Sequence, residues 1–252
     1  MNSVKIAEMD WMTYRDKVQD GACKILLPVG AIEQHGPHMS LNPDVLIPEH
    51  IACQVAERSG GMLVAPPIAY GYKSQVKSGG GNFFPGTTCV SGRSLEEYAY
   101  DVILAFTEHG NREFIVLNGH YENSMFLVEA ADRAVKQARL SGIEIKVILL
   151  SYWDFISETT IEKVFPDGFS GWAVEHGGVL ETSIMLKIHP KLVDMSKVVD
   201  MPPAEFPPYD VFPPDPDWVS SSGTLSSPAK ATAEKGSWIL DECIEKISRT
   251  FS

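Results

Sequence analysis

Long apolar runs are missing from this chain of 252 residues. Nowhere do roughly 20 consecutive apolar residues occur, so no segment reads as a helix that spans a bilayer. The N-terminal MNSVKIAEMDWMTYRD carries acids and has no apolar core of signal-peptide length. Cysteine is sparse: Cys23, Cys53, Cys89 and Cys243 are widely separated and form no CxxC pair, which argues against a disulfide framework or a zinc ribbon. Positive charge is scarce as well. With 21 Lys and Arg against 33 Asp and Glu, the formal net charge of −12 would repel nucleic acid and anionic membrane at long range. The loops that cradle nucleotides, GxxxxGK[ST] and GxGxxG, do not occur, nor does a GxSxG elbow, and no cysteine stands beside a histidine. These absences predict a soluble, cytoplasmic protein whose partner is a small neutral or cationic molecule and whose nucleophile is metal-bound water.

What is present is a regular alternation. Hydrophobic residues make up 44% of the chain, enough for a large core, and one domain over residues 1–252 is expected. Short β-rich runs (CKILLPVG, MLVAPPIAY, EFIVLNG, IKVILLSYWDF) alternate with longer stretches in which apolar residues recur at three and four, such as PDVLIPEHIACQVAERSGG and SLEEYAYDVILAFTEHG. That pattern predicts an α/β fold with a mostly parallel sheet and helices on both faces. Gly60-Gly61, Gly110 and Gly142 sit where helices should stop. The segment MPPAEFPPYDVFPPDPDW, a proline-rich arm over about 201–217, suits neither helix nor central strand. It reads either as a connector to a last helix over 232–248 or as an arm that packs on a neighbouring subunit or walls a pocket.

Unusual polar residues follow three of the strands, in ILLPVGAIEQHG, IVLNGHYEN and ILLSYWDF, and ligands of open parallel sheets collect at these carboxyl ends. Glu33 and His35 form E-x-H; His120 and Glu122 form H-x-E. In extended backbone, alternate residues point to one side, so each pair offers a nitrogen and a carboxylate to a common space. Asp44, at the start of the next helix, is either an N-cap or a bridge between two cations. Five mixed His and carboxylate ligands suit two divalent ions, zinc or manganese. His38 reads as structural, and His50, His109 and His189 as surface or core histidines. A second constellation, GWAVEHGGVLETS, holds Trp172, Glu175, His176 and Glu181. Its Gly-Gly places His176 at a helix N-terminus, suited to proton exchange near neutrality, or else Glu175 and His176 merely hold a turn. The glycine-rich YGYKSQVKSGGGNFFPGTT reads as a mobile loop facing a small substrate.

Together PVGAIEQHGPHM with PDVLIP, GYKSQVKSGGGNFFPGTT, LNGHYENSMF, LSYWDF and GWAVEHGGVLETS resemble the creatininase family over nearly the whole chain. The resemblance implies a three-layer α/β/α fold, a binuclear Zn or Mn centre and a homohexamer. It implies a first metal on Glu33, Asp44 and His120 and a second on His35, Asp44 and Glu122. Ser78, Tyr121, Trp153 and Trp172 would surround the substrate, with His176 moving the proton and Glu122 a possible relay. The implied reaction is hydrolysis of a small cyclic amide, creatinine to creatine, by metal-bound hydroxide. Opening of an inosose-type cyclic ketone or deformylation of an amide is the alternative within the family, and a non-catalytic metal-bound assembly protein lies outside it. Two departures bear on the substrate: similar members read GWDxEHGG and GNHFPG where this chain has Ala173 and Phe83.

Overall fold

The computed structural model describes residues 3–19 and 21–251. Four strands, β1 (Lys24–Val29), β2 (Met62–Val64), β3 (Glu113–Asn118) and β4 (Lys146–Ser151), form an all-parallel sheet in the order β2-β1-β3-β4. Between and around them run α1 (Trp11–Val18), α2 (Pro43–Ser59), α3 (Gly92–Glu108), α4 (Ser124–Leu140), α5 (Glu158–Val164), α6 (Val179–Ile188) and α7 (Ala233–Phe251). Alternate strand residues divide between two apolar layers, as the pleat requires. Leu26, Ile115, Leu117 and Leu150 pack with Ile51, Val55, Ile184, Ile239 and Ile244 of α2, α6 and α7. Ile25, Leu27, Phe114 and Val116 pack with Leu95, Ile103, Leu127 and Ala134 of α3 and α4. The expected α/β/α arrangement is therefore the one found, and continuous apolar strands follow from burial on both faces.

Local chemistry sets the ends of these elements. β2 stops after Val64 because Pro66 and Pro67 cannot donate to a ladder, and a bridge from Val29 to Ile68 resumes the pairing beyond them. Gly60 is the C-cap of α2, while Gly110 and Gly142 take φ of +105° and +75° just past α3 and α4. α7 begins one residue later than expected and runs to Phe251, because its buried Ile239, Cys243, Ile244 and Ile247 keep the helical period to the end.

The arm over 201–217 forms no helix or strand apart from a short 3-10 turn at Pro216–Trp218. It lies against the glycine-rich loop of its own chain: Lys77 Nζ donates to the carbonyls of Pro207 (3.1 Å) and Tyr209 (3.3 Å) and pairs with Asp210 at 3.2 Å.

One close approach positions everything that follows. The first turn of α2 crosses the ends of β1 and β3 so tightly that a Cβ on Gly30 or on Gly119 would stand 2.2 Å from the Asp44 carbonyl oxygen. Pro48, four residues along the helix, has no N–H to offer that carbonyl. Asn42, not Asp44, occupies the N-cap position, so Asp44 lies inside the first turn with its carboxylate free for other work. We expect Gly119→Ala to destabilise the fold by about 1–3 kcal/mol, the usual cost of overpacking. Denaturant unfolding measures that loss, and metal analysis of the same variant should show weakened binding because Asp44 is displaced.

Candidate metal centre

The strands deliver their polar ends to one place. β1 runs into the loop that carries Glu33 and His35, β3 into His120 and a 3-10 turn at Tyr121–Asn123, and β4 into the turn Tyr152–Phe155. Glu33, His35, Asp44, His120 and His176 are all buried. Asp44 sits between the two histidines of the strand ends: its Oδ1 is 3.0 Å from His35 Nε2 and its Oδ2 is 3.2 Å from His120 Nδ1. Glu33 Oε2 is 3.2 Å from the same His120 nitrogen, and Glu181 Oε1, from the first turn of α6, is 3.7 Å from His35 Nε2. Donor atoms thus gather in triads that share members: Glu33, Asp44 and His120; His35, Asp44 and Glu181; and Glu33, His35 and His176.

Ring orientation indicates which nitrogen faces the centre. The Glu33 carbonyl lies 3.1 Å from His35 Nδ1 and must accept from it, which leaves Nε2 for a ligand role. His120 is held the other way round, with Nε2 against the Tyr72 carbonyl (3.1 Å) and Glu122 Oε2 (3.3 Å). Glu122 belongs to none of the three triads, although it lines the same cavity, and its Oε1 accepts the Gln75 N–H at 3.0 Å. In the second triad the position expected for Glu122 is taken by Glu181, whose Oε2 accepts from the Gly177 N–H at 2.7 Å.

Electrostatics fit cations at the shared carboxylate. Both Glu33 oxygens and Asp44 Oδ2 are buried without a hydrogen-bond partner, a costly arrangement unless positive charge is close. Burial alone would lift these carboxyls, but His176, His120 and His35 hold Glu33 below its ordinary range, and His35 and His120 do the same for Asp44. Conversely, burial would strip protons from the histidines, yet Asp44 and Glu181 keep His35, and Glu122, Asp44 and Glu33 keep His120, well above the usual imidazole range. Positive charge on these two rings and positive charge on a metal answer the same need of the buried carboxylates. The donor set, nitrogen and carboxylate in two linked triads, suits zinc or manganese.

A cavity of about 750 Å³ opens over the centre, lined in part by His35, Asp44, His120, Glu122, His176 and Glu181. Ser78, Tyr121, Trp153 and Trp172 also line it, as does Ala173. Tyr121 and Trp172 are exposed at 72% and 46%, which makes them rim residues, whereas Trp153 packs edge-on against the buried Tyr152. Phe83 is exposed and is not part of the cavity wall, so of the two sequence departures only Ala173 alters it. His176 precedes α6 by three residues and stacks on His35 with ring centroids 4.2 Å apart. Glu175 accepts from the Leu180 N–H, and its burial pushes its carboxyl up to about 8. His38 is buried, bonded through Nε2 to Thr182 Oγ1 (2.9 Å) and driven down to about 4 by that burial, outside the donor triads. His50, His109 and His189 are also outside them.

A sequence model of the creatininase family, described as creatinine amidohydrolase, matches residues 7–251. The chain belongs to the creatininase family. It is 52% identical over 248 residues to the creatinine amidohydrolase of Pseudomonas putida, covering 98% of this chain and 95% of that protein. A mycofactocin precursor peptide peptidase of Mycolicibacterium smegmatis is 32% identical over 237 residues, covering 89% and 84%. The crystal structure of a creatininase superposes with a TM-score of 0.97 at 51% identity, over 99% of this chain and 97% of that one.

The direction of the shifts makes metal uptake depend on pH. Metal can take the ring nitrogens only as their protons leave, so binding should release protons and strengthen as pH rises. In the metal-free protein, stability from His35 and His120 is complete below about 6.5 and lost as pH rises through their raised values. Stability from Asp44 and Glu33 is present above their ordinary carboxylate range, near 3.8 and 4.5, and is lost as pH falls through their depressed values. Calorimetric zinc titration in two buffers of different ionisation enthalpy should show proton release. A Tm–pH series should show the alkaline loss in chelator-treated protein and its suppression once metal is restored.

Proposed function

We propose that this creatininase-family protein hydrolyses creatinine to creatine at a centre of two divalent cations, zinc or manganese, held by Glu33, Asp44 and His120 on one side and His35, Asp44 and Glu181 on the other. The observation that supports it above the rest is the shared Asp44 between two histidine–carboxylate triads under a cavity that ends in tryptophans. Solved relatives include a zinc–zinc form of a mutant creatininase, a manganese creatininase and a mutant creatininase complexed with creatine. Bound at such a centre, two cations lower the pKa of a water and polarise a carbonyl.

The chain's own residues do the rest. Hydrolysis adds hydroxyl to the lactam carbon and a proton to the ring nitrogen that leaves. His176, a member of the third triad and part of the cavity wall but outside the two triads that share Asp44, is placed to carry that proton. Trp153 and Trp172 offer flat faces to a planar amidine ring, and Ser78 and Tyr121 offer hydroxyls from the loops on either side. Glu122 holds His120 from behind, a task that orients the ligand ring and raises its basicity. Ala173 presents a methyl group where similar members carry a carboxylate, so affinity for the amidine end rests on the tryptophans and on the remaining acids of the wall. A homohexamer in the cytoplasm belongs to the same proposal, and light scattering at micromolar concentration reads the assembly directly. No helix among the described residues is long and apolar enough to cross a membrane.

The ligand assignment separates two variants. Glu181→Gln should lower the stoichiometry towards one tightly held ion per chain, while Glu122→Gln should keep both ions and lose about 10–100-fold in affinity or activity. Metal analysis after dialysis distinguishes them, and the opposite pattern would return the ligand role to Glu122.

The substrate is tested by assaying the metal-loaded protein against creatinine, a formamide, an inosose-type cyclic ketone and a short peptide. Creatinine should be turned over fastest, and His176→Ala should keep its metal while losing about 100-fold or more in rate. Rapid opening of the ketone or cleavage of the peptide without turnover of creatinine would overturn the substrate and leave the metal centre in place.

A further inference from the structure

Gln34 stands in the chain between two residues of the donor triads and is itself buried, yet the function described above gives it no task. Its side chain binds three loops together. Nε2 donates to the carbonyl of Gly79 in the glycine-rich loop (2.9 Å) and to the carbonyl of Gly223 beyond the proline-rich arm (2.8 Å), while Oε1 accepts the Gly36 N–H at 2.9 Å. The orientation of the amide is fixed by these partners. Turned over, it would set its oxygen against two carbonyls and its NH₂ against an N–H.

The same residue surrounds one nitrogen of His176. His176 Nε2 lies 2.9 Å from the backbone carbonyl of Gln34, 3.2 Å from its side-chain Nε2 and 3.7 Å from Glu33 Oε1. A carbonyl oxygen can only accept, so the short contact requires a hydrogen on His176 Nε2. The amide cannot supply it from its side, because both of its hydrogens are already directed to Gly79 and Gly223. Counting donors therefore leaves one consistent arrangement for the neutral ring: Nε2–H donating to the Gln34 carbonyl, with Nδ1 as the basic nitrogen. The glycines at both ends of the amide are part of the device. A Cβ at Gly79 would stand 2.4 Å from His176 Nε2, and one at Gly223 would stand 1.9 Å from Gln34 Oε1.

We infer that Gln34 is a positioning residue that holds His176 as its Nε2–H tautomer and so assigns proton exchange with the substrate to Nδ1. The tautomer follows from the hydrogen-bond count alone, whereas its bearing on turnover rests on the function proposed above. Gln34 also ties the loop that carries Ser78 to the loop that carries Glu33 and His35, so the proton carrier and the cavity wall are registered by one amide.

The test uses zinc-loaded protein with ¹⁵N-labelled histidine, the His176 signal being assigned by its disappearance in His176→Ala. The wild-type spectrum should show His176 protonated on Nε2, and a ring protonated on Nδ1 instead would overturn the inference. In Gln34→Met, close in shape but without donors, the two ions should remain by metal analysis. The backbone carbonyl of residue 34 survives that change, so the Nε2–H signature should persist, while loss of the amide's ties to Gly79 and Gly223 should let the ring shift and lower kcat about 10–100-fold with a smaller change in KM, the range for groups that orient a working side chain. An unchanged kcat in that variant would equally sink the positioning role. If Gln34→Met does not fold, the wild-type spectrum decides on its own. Wild-type protein that shows the Nε2–H signature but does not open creatinine would count against the proposed substrate and not against Gln34.

Discussion

A single buried carboxylate, that of Asp44, is the constraint around which the rest is arranged. It belongs to both linked triads, with one oxygen towards His35 and the other towards His120, so the spacing of the two halves is the spacing of its own oxygens. A loop could not hold such a group to the required few tenths of an ångström. A helix end can, because the first turn of α2 is fixed by the apolar face beneath it, where Ile47, Ile51 and Val55 are fully buried. The sheet ends are then shaped to receive that turn, with Gly30 and Gly119 giving up their side chains at the points of closest approach.

This arrangement costs stability and returns function. Buried carboxylate oxygens without hydrogen bonds are tolerated because histidines stand next to them, and the ionised carboxylates in turn raise the proton affinity of the histidines. In low dielectric, neither set is stable alone. A chain with an excess of acids can maintain such a cluster only where it supplies compensating cations locally, and two of those cations are exchangeable for metal.

Much of the architecture could be read from the residues. Apolar strands between amphipathic stretches indicated a parallel sheet covered on both faces, since periodicity is a direct record of burial. The clustering of Glu33, His35, Asp44 and His120 was also legible, because all four follow strands whose ends meet. Glu181 stands in a conspicuous motif but carries no sequence sign of a ligand: it lies on a helix from a distant part of the chain, and nothing in its spacing measures its distance from His35. Glu122 shows the reverse case. The H-x-E spacing suggested that both side chains serve one space, but the 3-10 turn at Tyr121–Asn123 replaces extended backbone and carries Glu122 behind the ring. Gln34 and Asn123 were not singled out, although each is a buried amide that joins separate loops. Amides carry no charge pattern, so their importance becomes visible only once their partners are in place.

The hold of the proline-rich arm on Lys77 has a thermodynamic meaning of its own. One ammonium is shared among two arm carbonyls and an arm carboxylate, and it belongs to the residue next to Ser78. Opening of the arm therefore costs contacts of the glycine-rich loop as well, and the reverse holds too. A stiff, proline-filled segment has little conformational entropy to gain on release. The wall of the cavity is kept in place by a segment that has less to gain by leaving than an ordinary loop would.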